Sequence, residues 1–414
     1  VRLRPPGVGD LIAGISVALV AIPQSLAYAE LAGMPPEFGL FASGLPSLLA
    51  AMFVSSKYLQ TGPVALTALL TFGALSAIAV EQTAEYIALA ALLAFMVGVF
   101  RVALGLLRLG RVAYLLSDPV LLGFTTAAAI LITSSQLPKA LGVEGLDGGV
   151  IENAFDAATT PSAWSAAAIA FSVMALVAMF GGRRIHPLFP GVLVAVIAGI
   201  AISRATGYDG AVVSELDAGF ITLSLDLPWE EVGTLIVPAI AIALVGFAEP
   251  ASIARTFAAE EDLEWDADRE MVSQGVANLA AGVSGAFPVG GSFSRSSLNR
   301  LAGATSAWAG AITGICVLIA LPATSALEGL PQAVLGAIVI GAVVQLIKLR
   351  QIVELGRTNR VDGAVAVFTL VATIASAPRV ERGVLAGIAV SLVVAGWRRW
   401  ITPPTDGDRA SADQ

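Results

Sequence analysis

Glu249 sets the first problem of this sequence. Twelve residues from Val237 to Ala248, all uncharged, precede it and Pro250-Ala251-Ser252-Ile253-Ala254 follows. A helix over this stretch puts the carboxyl deep in a bilayer, where an acid costs about 2.5 to 3.5 kcal/mol on insertion scales. A group kept there is functional, or it sits in an ion pair that ties helices together. Burial and a nearby cation act on its proton in opposite senses, so the sequence leaves its resting charge open. Arg295 sets the second problem, within Gly291-Ser292-Phe293-Ser294-Arg295-Ser296-Ser297-Leu298-Asn299. In one reading Ser292 or Ser294 caps a helix and Arg295 snorkels to water. In the other, backbone N–H groups, serine hydroxyls and the guanidinium converge on an anion, with roughly half a positive charge added by the helix terminus. A further helix start near Pro63-Val64-Ala65 would add its own dipole if aimed at the same point, giving an anion site in mid-membrane. Gln24 follows Pro23, which kinks its helix and frees a carbonyl, so its amide could reach a ligand. Tyr28, one turn on, is either an aromatic wall for that ligand or an ordinary packing residue.

Such residues need a membrane around them, and the composition implies one. Of 414 residues, 57% are hydrophobic and 13% charged, against about 25% charged in soluble domains; mean hydropathy is +0.84. A soluble globular protein is excluded. One cysteine and one histidine exclude a disulfide framework, a Cys/His zinc cluster and a HExxH metallohydrolase. No metal site and no cofactor are expected. A net charge of -8 gives no reason to expect nucleic acid. No nucleophile, base and orienter set is visible, so an enzyme is not expected and no catalytic residue is assigned.

Apolar runs between polar breaks fall near 8–30, 38–54, 63–79, 86–107, 118–137, 163–181, 188–204, 233–257, 271–285, 292–302, 305–325, 331–348, 361–377 and 382–400. Most are long enough to cross about 30 Å of hydrocarbon. Two open at Thr61-Gly62-Pro63 and Gly290-Gly291-Ser292, where Gly and Pro favour half-helices starting from short extended segments. With the amino end in the cytoplasm, about 17 of the Lys and Arg residues sort inside and about 4 outside. The inside set includes Lys57, Arg108, Arg111, Arg183, Arg184, Lys348, Arg350, Arg357, Arg360, Arg398 and Arg399, so both termini are expected to be cytoplasmic. The acidic segment 260–270 is the misfit. Val1-Arg2-Leu3-Arg4 shows no signal-peptide pattern, so the first run reads as a retained span. The missing initiator Met and the polar end from Pro403 to Gln414 suggest a piece of a longer protein. Ala18-Leu19-Val20 followed by Gln24 is echoed half a chain later by Ala243-Leu244-Val245 followed by Glu249, and the two broken segments repeat at a similar offset. The fold expected is an all-α polytopic membrane protein of fourteen spans, built as a 7+7 inverted repeat.

These residues resemble the sulfate permease (SulP) family of anion transporters. The resemblance rests on Pro36-Glu37-Phe38-Gly39-Leu40-Phe41-Ala42-Ser43, which ends at Ser55-Ser56-Lys57, with Phe41, Ala50 and Val54 departing from the family pattern. It extends to Pro23-Gln24-Ser25-Leu26-Ala27-Tyr28-Ala29, to Thr61-Gly62-Pro63 and to Ser292-Phe293-Ser294-Arg295-Ser296. It implies a core unit (1–113 and 228–328), a gate unit (114–227 and 329–402) and a polar tail (403–414). It also implies a homodimer, an elevator movement of core against gate, and an anion site of Gln24, Tyr28, the backbone at Val64 and Ala65, Ser292, Ser294 and Arg295. Most members carry a cytoplasmic STAS domain after the last span, and the residues given beyond Trp400 read only as a polar tail.

The function expected is secondary transport of a small anion (dicarboxylate, sulfate or bicarbonate class) across the inner (plasma) membrane, coupled to protons through Glu249. Sodium is the less favoured coupling ion, because only Ser252 offers an obvious extra oxygen nearby. The alternatives are an anion channel or uncoupled exchanger of the same fold, sodium-coupled bicarbonate uptake, and a nucleobase carrier. The last is disfavoured because a neutral ring would not need Arg295.

Overall fold

The computed structural model of the chain describes residues 5–110, 117–186, 188–213, 216 and 219–401. Val1 to Arg4, Arg111, the tail 403–414 and the side chains of Arg398, Arg399 and Trp400 lie outside the described residues. In chain order the helices are α1 (Val8–Leu31), α2 (Glu37–Phe53), α3 (Ala65–Leu75), α4 (Ala84–Leu106), α5 (Asp118–Leu141), α6 (Val150–Thr159), α7 (Ala166–Leu176), α8 (Gly182–Ile185), α9 (Gly191–Thr206), α10 (Val232–Glu260), α11 (Ala267–Val283), α12 (Phe293–Leu301), α13 (Trp308–Ala320), α14 (Gln332–Val343), α15 (Leu349–Thr358), α16 (Arg360–Ala375) and α17 (Val380–Ile401). Every apolar stretch read from the sequence carries a helix, and among the described residues seven segments are long and apolar enough to cross a membrane. α6 and α15 fall where the sequence shows only polar connections. In α15, Arg350 and Glu354 pair one turn apart at 2.8 Å and only Ile352 is buried, so it is a surface helix rather than a span.

The short helices α3 and α12 are entered from two-residue strands, β1 (Thr61–Gly62) and β2 (Gly290–Gly291). The sequence-expected half-helices are present in that form. The elements around them are held close by missing side chains. A Cβ on Gly98 of α4 would stand 2.6 Å from the backbone nitrogen of Leu279, and one on Gly275 of α11 would stand 2.7 Å from that of Val102. Gly105 and Gly282 repeat the pattern along the same seam, which lets the two helices approach backbone to backbone. Packing joins α11 to α4 and α2, and α13 to α1 and α2; elsewhere α5 packs on α14 and α16, and α17 on α16. The buried interior is filled by Leu26, Met34, Leu70, Leu92, Phe124, Phe247 and Phe287.

Candidate functional site

β1 and β2 pair antiparallel, Thr61 opposite Gly291 and Gly62 opposite Gly290. α3 and α12 therefore leave the crossing in opposite directions with their amino ends on it. Side chains from three other helices fix the strands. Ser47 Oγ donates to the Thr61 carbonyl at 2.6 Å and Gln274 Nε2 to Thr61 Oγ1 at 2.8 Å. Asn278 holds Val289 twice, donating to its carbonyl and accepting from its N–H, both at 3.0 Å. Arg101 of α4 donates to the same carbonyl at 3.1 Å. Gly62 has φ +151°, and a Cβ there would stand 3.1 Å from Nη1 of Arg295, so the strand lies directly on the guanidinium.

The two amino ends differ in how they are capped. The N-cap of α3 is Val64, whose side chain cannot accept a hydrogen bond. The first helical bond at that end runs from Ala68 N–H to the Val64 carbonyl, so the first-turn donors are left to whatever occupies the space before them. The N-cap of α12 is Ser292, whose hydroxyl accepts from the Arg295 N–H at 3.5 Å and lies 3.4 Å from Ser294 Oγ. The next donor, the N–H of Phe293, lies beside the carboxyl of Glu249. Pro250 follows Glu249 within α10 and, lacking an N–H, leaves the Gly246 carbonyl without its usual helical partner.

A cavity of about 940 Å³ lies against these ends. Tyr28, Val64, Ala65, Glu249, Ser292 and Ser294 line it on one side, and α5 with the α14–α16 segment lines it on the other. Its mouth carries Asp118, Lys348, Glu354 and Asp362 together with the half-exposed Phe293. Phe293 stacks on Phe257 at 6.2 Å, and Phe257 meets Tyr58 edge-on at 5.9 Å. Beside them Lys57 pairs with Glu261 at 2.8 Å, and the Tyr58 hydroxyl donates to the same carboxylate. The hydrogen bond from Lys57, helped by Tyr58, holds the Glu261 carboxyl below the usual carboxylate range.

Of the residues expected at the site, the structure brings six to the cavity wall and two behind it. Arg295 is 1% exposed and donates through Nη2 to the Pro63 carbonyl at 2.7 Å, which ties α12 to the start of α3. Its Nε has no partner among the described residues. Gln24 is buried and does not line the cavity; its Oε1 is also unpartnered. Glu249 is partly exposed to the cavity and interacts electrostatically with Arg295 and with Tyr28. Sequence reasoning missed Arg101, Asn278 and Gln274, which hold the strands. It also missed Glu270, whose Oε2 accepts from the N–H groups of Ser55 and Ser56 and so gives the Ser55-Ser56-Lys57 motif its anchor.

A protein-family model described as the sulfate permease family matches residues 8–369. The chain belongs to the sulfate permease family. Family relatives include a probable sulfate transporter of Mycobacterium tuberculosis, 36% identical over 392 residues, which cover 93% of this chain and 69% of the relative. Sulfate transporter 4.1, chloroplastic, of Arabidopsis thaliana is 34% identical over 397 residues, 92% of this chain and 57% of its own length. Human solute carrier family 26 member 6 is 31% identical over 418 residues, 93% of this chain and 54% of its own length. Among solved structures, murine solute carrier 26 family member A9, an anion transporter in the inward-facing state, superposes with a TM-score of 0.86 at 24% identity, covering 96% of this chain and 70% of that one. The transmembrane domain of a cyanobacterium bicarbonate transporter, BicA, superposes with a TM-score of 0.77 at 22% identity over 92% and 96% of the two chains. At these identities the structural likeness speaks for the sulfate permease family fold.

Proposed function

We propose that this sulfate permease family member is a secondary active transporter of a small anion of the sulfate, dicarboxylate or bicarbonate class, coupled to protons through Glu249. The observation that carries the reading is the meeting of two helix amino ends and Glu249 at one cavity wall, with the buried Arg295 directly behind them. Fourteen of the seventeen described helices, all but α6, α8 and α15, act as a 7+7 inverted repeat, with a core unit (1–113 and 228–328) that carries the site and a gate unit (114–227 and 329–402) that forms the opposite wall. The core slides against the gate of a homodimer in the inner (plasma) membrane, both termini being cytoplasmic. Membership of the family and the transport named for its relatives support this reading.

The geometry supplies a coupling mechanism. While ionised, Glu249 attracts the adjacent N–H of Phe293 and sets a negative charge beside Arg295. Both effects oppose an anion at the amino ends. Protonation removes the charge and weakens the hold on that N–H, leaving the Ser292 and Ser294 hydroxyls, the helix ends and Arg295 to act together on the ligand. By linkage, the bound anion raises the proton affinity of the site by the same factor. The Val64 and Ala65 side chains are small and leave room for a dicarboxylate.

The test is reconstitution in liposomes with internal pH recorded on addition of sulfate, bicarbonate, fumarate, succinate or chloride, with protein-free vesicles as the bicarbonate control. Acidification by the transported anion is expected. Glu249→Gln should abolish the pH change while sparing binding or exchange. Normal proton-coupled uptake by that variant would remove Glu249 from the mechanism.

A further inference from the structure

Arg101 lies on α4, fully buried, and no carboxylate among the described residues pairs with it. Its guanidinium donates to three main-chain carbonyls: Ala243 through Nε at 3.0 Å, Ile242 through Nη2 at 3.0 Å and Val289 through Nη1 at 3.1 Å. The first two belong to α10, one to two turns before Glu249, and the third is the residue entering β2. A Cβ on Gly246 would stand 2.6 Å from Nη2, while Gly290 packs on Val64 and on the Gly246 carbonyl. The cation is thus fixed directly behind the strand crossing, on the side away from the cavity. Carbonyl dipoles take three of its five N–H groups but leave its charge uncancelled.

Three ionisable groups are therefore built into the crossing: Arg101, Arg295 and Glu249. Other buried acids of the same elements sit at helix ends with local partners. Asp10 takes the N–H groups of Thr305 and Ser306, Glu270 those of Ser55 and Ser56, and Glu30 pairs with Lys139. Tyr28 is the remaining titratable group on the core face, and Asp118, Lys348, Glu354 and Asp362 belong to the opposite wall, which stays behind if the core moves. With Glu249 ionised the crossing carries one net positive charge; with Glu249 protonated it carries two. Net charge in hydrocarbon is costly, so a loaded core crosses most readily when ligand and crossing sum to zero.

We propose that Arg101 sets the charge of the transported complex, so that a monovalent anion crosses with Glu249 ionised and a divalent anion crosses only with Glu249 protonated. The inference rests on the proton-coupled elevator reading given above. The proton count then follows from anion valence rather than from a change of mechanism. Because the empty core keeps one positive charge and either loaded core keeps none, exchange of anions runs faster than net uptake. Each net turnover moves one negative charge whichever anion is carried.

The experiment measures protons per anion in proteoliposomes at clamped membrane potential, with labelled sulfate as the divalent probe and nitrate as the monovalent one. Wild type should take up about one proton per sulfate and fewer than about 0.1 per nitrate. Arg101→Gln should make nitrate uptake proton-coupled, whereas Arg101→Lys, which keeps the charge but loses the fork, should keep the wild-type counts. A purely structural role for Arg101 would lower the rate of both anions and leave both counts unchanged, which overturns the proposal. Equal proton counts for sulfate and nitrate in wild type, both lost in Glu249→Gln, overturn the role of Arg101 while leaving coupling intact, as does failure to carry nitrate at all. Sulfate accumulation without protons overturns the coupling reading itself and the valence rule with it. The wild-type comparison decides the matter even where Arg101→Gln does not fold.

Discussion

On the proposed coupling, Glu249 in its ionised form competes with substrate for the donors of α12, and Arg295 is the cation left to settle the contest. Arg295 already has one bond to the Pro63 carbonyl, so the guanidinium is pre-positioned and little rotamer freedom remains to be lost on binding. Arg295→Ala is expected to weaken anion binding by about tenfold or more, since a hydrogen bond to a charged group is worth about 1.5 to 3 kcal/mol. Calorimetric titration with the transported anion measures this, and unchanged affinity would place Arg295 with the packing residues. Glu249 and Arg295 were legible in the sequence because a charge inside an apolar run has a cost that demands a reason. By the same criterion Arg101 stands out, being the only basic residue within α4. Its place five residues from the end of that helix makes it resemble a side chain that snorkels to the interface, while the structure turns it inward onto α10. Asn278 and Gln274 carry no charge, and their bonds to Val289 and Thr61 depend on a fold that brings distant segments together. Gln24 could be marked as polar in an apolar span, but nothing in its spacing tells which way its amide turns.

At the scale of elements, hydropathy and the Thr61-Gly62-Pro63 and Gly290-Gly291 breaks place the apolar helices and the half-helices, though not the polar α6 and α15, because helix length and backbone interruption are local properties. Which helices touch is not local. The abundance of Gly and Ala reads as close packing in general, yet the partnership of α4 with α11 depends on residues far apart in the chain. Gly98 and Gly105 meet Gly275 and its neighbours only once both halves are folded. That partnership also fixes the site, since Arg101 comes from α4 and Asn278 and Gln274 from α11. Gly275→Leu should therefore lower the thermal midpoint in detergent well beyond Gly233→Ala, whose added Cβ meets nothing within 4 Å. Overpacking of this kind costs about 1 to 3 kcal/mol, and here the obstacle is the Val102 backbone nitrogen, which a rotamer change cannot relieve. A midpoint for Gly275→Leu equal to that of the Gly233→Ala control would mean that the α4–α11 seam is looser than its geometry implies.

On the scale of the molecule, the cavity opens beside Lys348, Glu354 and Asp362, while near the far ends of α1 and α5 Lys139 pairs with Glu30 at 2.7 Å. Glu30 is nearly buried at this contact and Lys139 about a third exposed. Glu81, in the connection before α4, faces the same lysine, and burial pushes its carboxyl above the usual range against the opposing pull of Lys139. These three charges bridge the proposed core and gate on the side away from the cavity mouth, so an elevator stroke must part or rearrange them. A cross-link there is the direct test of the movement. With Cys316, the only cysteine, replaced by serine, Glu30→Cys and Lys139→Cys can be joined by a reductant-cleavable bis-maleimide. Anion uptake should fall by at least about tenfold, because domain movement gates turnover in such carriers, while anion binding at the still accessible cavity stays within about twofold. Reductant should restore uptake, separating a lock from damage. Full uptake by quantitatively cross-linked protein would show that α1 and α5 keep their relation throughout the cycle, and the movement would then have to be sought in Phe293 and the aromatic cluster at the cavity mouth.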